Sequence, residues 1–77
     1  MRYFLHQIQT FATVRDPEGC VHPDLAGVHI EAVDAARQMM STAVLRGRDI
    51  SGWAFEIVDR KGVVLERLPF TSTLAPA

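Results

Sequence analysis

Between Asp24 and Gly47 runs a long stretch, Leu25 to Arg46, with no proline and one interior glycine, Gly27. Asp24 is a favoured N-cap, and Gly47 stands where a left-handed C-terminal cap belongs. At about 100° per residue, Leu25, Val28, His29, Ala32, Val33, Ala35, Ala36, Met39, Met40, Ala43 and Val44 gather on one side. Glu31, Asp34, Gln38, Ser41 and Thr42 fall on the other. A single amphipathic helix therefore dominates a chain of 77 residues. Its apolar arc is about 180° wide, against the roughly 100° that one supporting layer covers. The rest of the chain has to hide that arc or leave part of it bare.

The flanking segments read as strands. Arg2 to Gln9 holds Tyr3, Phe4, Leu5 and Ile8, side chains suited to a pleated surface, and Phe11 to Arg15 is a second such run. A turn near Gln9-Thr10 joins them into a hairpin. Asp16-Pro17-Glu18-Gly19 places Asp, Pro and Gly at the first, second and fourth positions of a type I turn. Cys20-Val21-His22 then runs extended into Pro23, which steers His22 away from helical dihedrals. Beyond the helix, Trp53 to Val58 alternates large apolar residues with smaller or charged ones, as a strand with one buried face does. Asp59-Arg60-Lys61-Gly62 closes a second hairpin, with Gly62 free to take a positive φ. Val63 to Leu68 returns, and Pro69, lacking an amide donor, ends the pairing. The expected architecture is α+β: ββαββ, a four-stranded antiparallel sheet of two hairpins with one long helix across one face. Residues 1–70 form the domain, and 71–77, small and without periodicity, form a flexible tail.

Composition narrows the function. Apolar residues make up 48% and charged ones 22%, a globular mixture. Eight Lys and Arg against nine Asp and Glu give a net charge of −1, which removes the strongly basic signature of a nucleic-acid binder. One cysteine excludes an internal disulfide. No apolar run approaches the roughly 20 residues of a membrane helix. The start, Met1-Arg2-Tyr3-Phe4-Leu5-His6-Gln7, is too interrupted by polar residues for a signal peptide, so a cytoplasmic location is expected.

The pattern as a whole is similar to a known family. Arg2-Tyr3-Phe4, the Asp16 and Gly19 turn, Pro23-Asp24-Leu25 opening an Ala- and Arg-bearing helix, Ser51-Gly52-Trp53, Phe55-Glu56, Asp59 with Gly62, Val64-Leu65 and Pro69-Phe70 resemble a bacterial family of small single-domain proteins known as a domain of unknown function. The likeness covers about residues 1–70 and implies the fold, but no activity, cofactor or catalytic residue. Pro23-Asp24-Leu25-Ala26-Gly27 after a hairpin is also similar to HicB-type antitoxins. In those a short strand usually separates the motif from the helix, whereas here the helix follows directly and no DNA-binding segment is seen.

Few residues have a chemistry to offer. Cys20, His22 and His29, with His6 elsewhere, are the metal-type ligands. Zinc needs about four converging donors, and a Cys-His nucleophile needs a thiolate-stabilising site with an oxyanion partner. Neither pattern is marked, so a buried Cys20, a loop His22 and a core-edge His29 are expected, with no catalytic residue, no metal and no cofactor. Glu31 and Asp34, followed by Arg37, read as a solvated helix face. Tyr3, Phe4, Phe11, Trp53, Phe55 and Phe70 would lie on or beside the sheet, where aromatics can stack bases, with Arg46, Arg48, Arg60, Lys61 and Arg67 for phosphates. The shared parity of Trp53, Phe55 and Ile57 points instead to a core.

Helix length then bears on assembly. Residues 25–46 would span about 33 Å, against about 20 Å for six-residue strands. The overhanging half, with Met39, Met40, Ala43 and Val44, would be wet in a monomer, and such a patch marks an interface. Those residues and Val33 are the expected contact surface of a homodimer or of another protein partner. The resulting expectation is a small non-enzymatic module acting by protein association, the alternative being an antitoxin-like or nucleic-acid-binding regulator.

Overall fold

The computed structural model describes residues 1–74. Arg2–Ile8 forms β1. The chain turns at Gln9 to Ala12, where the Gln9 amide donates to the Ala12 carbonyl at 2.8 Å. Thr13–Val14, β2, returns antiparallel, with Gln7 opposite Val14 and Ile8 opposite Thr13. The second strand is shorter than its composition suggests, and Phe11 is left exposed on the turn.

The reason lies one step further on. At Asp16–Gly19 the chain leaves the sheet edge and rejoins it as β3, Cys20–Val21, with Tyr3 opposite Cys20 and Arg2 opposite Val21. The odd-numbered backbone groups of β1 face this edge. Gln7 pairs with Val14, the Leu5 amide donates to Asp16 Oδ2 at 3.2 Å, and the Met1 carbonyl accepts from His22 N–H at 2.9 Å. β2 and β3 are thus two halves of one edge, interrupted by a turn. The extended Cys20–His22 segment of the sequence reading is here a paired strand, a pairing no local pattern announces.

The second hairpin joins β4, Ala54–Val58, to β5, Val64–Pro69. Asp59 Oδ1 accepts from the amides of Lys61 (2.8 Å) and Val63 (3.0 Å), and Gly62 takes φ +84°. Register shifts at the turn end, with Ile57 opposite Glu66 but Val58 opposite Val64, so Leu65 is a bulge. β1 and β4 pair antiparallel, giving the order β2-β1-β4-β5 with β3 beside β1. The molecule is an α+β fold with an antiparallel sheet, as expected.

Leu25–Leu45 forms α1. Asp24 caps it, its Oδ1 accepting from Gly27 N–H at 3.0 Å. At the other end Gly47 (φ +69°) donates to the Val44 carbonyl and Arg48 to the Ala43 carbonyl at 2.7 Å, the paired bonds of a Schellman cap. Val28, Ala32 and Ala36 form the fully buried line, a row of small side chains that brings the helix close to the sheet. Against them pack Tyr3, Phe55, Ile57, Leu68 and Phe70. The opposite sheet face carries Phe4, His6, Ile8, Glu56 and Arg67 without a covering layer. Extents of 36 × 28 × 16 Å follow from two layers, one of them a single helix.

Two expectations need correcting. The helix end is better covered than its length implies: Ala43 is buried, and Val33, Met39 and Met40 pack half-buried against the core, because Ile50 and Trp53 after the cap fold back beneath the last turns. The proposed tail is not free from residue 71. Phe70–Thr73 forms a 3-10 turn in which Phe70 and Thr73 are buried, and Arg37 Nε donates to the Thr73 carbonyl at 2.8 Å. Residues 75–77 of that tail lie outside the described residues.

Candidate functional site

The two ends of the helix differ in chemistry. At its start, β3 turns Cys20 onto the helix side of the sheet, opposite Tyr3. Two residues on, His22 points the same way, as extended backbone requires. Its imidazole lies against Gly27, where a Cβ would sit 3.0 Å from Nδ1. One helical turn later Glu31 reaches back, and His22 Nε2–H donates to Glu31 Oε1 at 2.9 Å. Ligand atoms of Cys20, His22 and Glu31 all lie within 4.8 Å of one another. Burial, with the charge of Glu31 and a hydrogen bond to it, pushes the Cys20 thiol up to about 11. A thiol so protonated is a poor nucleophile.

The other candidate ligands go elsewhere. His29 faces β5, with Nδ1 2.6 Å from Glu66 Oε2. His6 lies on the open sheet face, where Nδ1 accepts from the Asp16 amide at 3.0 Å. Glu31 lies exposed on the helix as expected, and it is also the third member of the Cys20 and His22 group, a role no motif in the sequence marks. The available signal was Gly27, a helix-weakening residue one turn before Glu31 on the same side.

At the far end, an apolar groove of about 500 Å³ is lined by Met40, Val44, Leu45, Ile50 and Leu74, with Arg37, Arg48 and Asp49 around it. Val44 and Leu45 are 74% and 85% exposed. Of the expected contact residues, Met40 and Val44 line this groove, Met39 and Ala43 line a shallower one on the other side of the helix, and Val33 packs toward the core. The aromatic residues that base stacking would need are mostly committed. Tyr3, Phe55 and Phe70 are core, the rings of Phe55 and Phe70 lying 4.9 Å apart.

Fold and surface together define a small two-layer α+β module, with a polar group of Cys20, His22 and Glu31 at one end of the helix and an apolar groove at the other. The family model described as a domain of unknown function (DUF6894) matches residues 2–71, and the chain belongs to that family. No curated protein and no solved structure matches it. The antitoxin likeness, carried by Pro23 to Gly27 after a hairpin, finds no support, since the matching family is a different one. No helix among the described residues is long and apolar enough to cross a membrane.

Proposed function

We propose that this chain is a non-enzymatic cytoplasmic module that works as a homodimer, joined through the C-terminal turns of the helix. The observation that carries the reading is the exposure of Val44 and Leu45 beside the groove of Met40, Ile50 and Leu74. Large aliphatic side chains clustered on a small protein's surface mark a contact site. The rim supports a second copy as the occupant. It holds charges of both signs, Arg37 and Arg48 with Asp49, so the patch has the mixed charge that a self-complementary twofold contact requires. A chain of this size also gains from self-association, since a lone core this small supplies only about 3–5 kcal/mol.

Sedimentation equilibrium over a micromolar concentration series tests it. The expected result is a dimer for the wild type and a monomer for Val44→Glu with Leu45→Glu, both sites being exposed enough to accept the charge without unfolding. A wild-type species of 8.6 kDa throughout the series overturns it. Retention of mixed oligonucleotides at low salt, lost steeply on adding salt, would instead favour the nucleic-acid regulator.

A further inference from the structure

We propose that Cys20, His22 and Glu31 form a binding site for one divalent transition-metal ion, zinc being the ion their chemistry suits best. The three residues come from three different places: the edge strand β3, the linker before the helix, and the second turn of the helix. Only the pairing of β3 with β1, and the packing of α1 over the sheet, bring them together.

Geometry is the first argument. The donor atoms lie within 4.8 Å of one another, and His22 Nε2 is already 2.9 Å from Glu31 Oε1. Bonds of about 2.0–2.3 Å in a tetrahedral zinc site place ligand atoms roughly 3.3–3.8 Å apart. Side-chain adjustments of about an ångström therefore close the three groups around an ion. The backbone beneath them is anchored. His22 N–H is bonded to the Met1 carbonyl, Cys20 is in register with Tyr3, and the Asp24 cap fixes the helix start.

Donor chemistry is the second. Calcium and magnesium take oxygen ligands, whereas sulfur and imidazole nitrogen with one carboxylate suit zinc and its neighbours. A thiolate and a carboxylate neutralise the ion's two positive charges, so the loaded site beside the core is electrically neutral. The thiol proton leaves to solvent as sulfur binds, and the proton that His22 Nε2 donates to Glu31 moves to Nδ1, so that Nε2 binds as the unprotonated nitrogen of a neutral imidazole. Three protein ligands leave a fourth position for water on the exposed side, where Glu31 reaches solvent.

Gly27 is the third and independent observation. Glycine inside a helix costs about 0.5–1 kcal/mol relative to alanine. Here its missing Cβ leaves the space in which the imidazole sits, 3.0 Å from where that carbon would be. The ring is thus seated in a recess of the helix rather than waving in solvent, and held so it faces both Cys20 and Glu31.

The experiment uses tag-free protein, zinc and cobalt(II). Calorimetric titration with zinc is expected to give one ion per chain. Cobalt(II) is expected to give a thiolate-to-metal charge-transfer band with the visible bands of a tetrahedral ion. Cys20→Ser and His22→Gln should each weaken uptake at least tenfold, with folding checked by circular dichroism, and His29→Gln should leave it unchanged. The proposal is overturned by no uptake, by one ion shared between two chains, by cobalt binding without the thiolate band, or by uptake indifferent to Cys20→Ser. The wild-type cobalt spectrum decides even if a variant misfolds.

Discussion

At Asp16 one carboxylate stands in for a missing stretch of strand. Where the edge strand leaves β1, its oxygens accept from the amides of Leu5 (3.2 Å), Gly19 (3.0 Å) and Glu18 (3.2 Å). Burial raises the pKa of this group, but those amides more than offset it, and the net effect is a carboxyl below its ordinary value. A depressed native pKa adds stability above the unfolded value of about 3.9, lost as pH falls through the native one. Urea unfolding against pH should therefore show a wild-type loss below about pH 4 that Asp16→Asn largely lacks. At neutral pH Asp16→Ala should cost about 1–2 kcal/mol, the scale of losing a helix cap. Gly19, at φ +74°, admits no side chain, since a Cβ would lie 2.5 Å from the Tyr3 carbonyl. Gly19→Ala is expected to destabilise by about 2 kcal/mol or more in the same assay. The turn itself was legible from Asp16-Pro17-Glu18-Gly19. The reach of Asp16 to Leu5 was not, because nothing local says which strand amide stands without a partner.

Among the elements, the helix was the most legible, because its caps and period are local properties. Asp24 and Gly47 cap it as expected, and the buried line falls inside the anticipated arc. How deep each side chain sits depended on what packs beneath it. Ala43 is covered, while Val44, its chain neighbour, is 74% exposed. Gly27 gives an element-scale prediction. In the wild type Gly27→Ala sets helix propensity, a gain of up to about 1 kcal/mol, against the His22 ring. In a His22→Ala background that opposition is gone. A thermodynamic cycle should show Gly27→Ala more favourable by about 1 kcal/mol there, read from urea midpoints. Equal effects in both backgrounds would mean the ring does not need the recess.

For the molecule as a whole, the segment after the last strand closes the core. Phe70 is fully buried, its ring 4.9 Å from Phe55 and 6.3 Å from Trp53, and Thr73 is tied to the helix through Arg37. Phe70→Ala should cost about 3–5 kcal/mol, most of what a core this small supplies, so loss of the cooperative thermal transition is the expected result. Thr71→Ala, at an exposed site, should stay within about 0.5 kcal/mol. A tail built from Thr-Ser-Thr has no periodicity to betray this role. Its order comes from Phe70, whose place in the core depends on the whole sheet.

Turns, caps, strand alternation and the order of elements came from the sequence alone, since each is set by residues within a few positions of one another. The split edge, the meeting of Cys20, His22 and Glu31, the His29 and Glu66 pair and the Arg37 clasp on Thr73 were decided only in three dimensions. The last two join residues 37 and 36 positions apart. Such contacts are selected by how layers pack and where the chain crosses, and neither is written in local propensity.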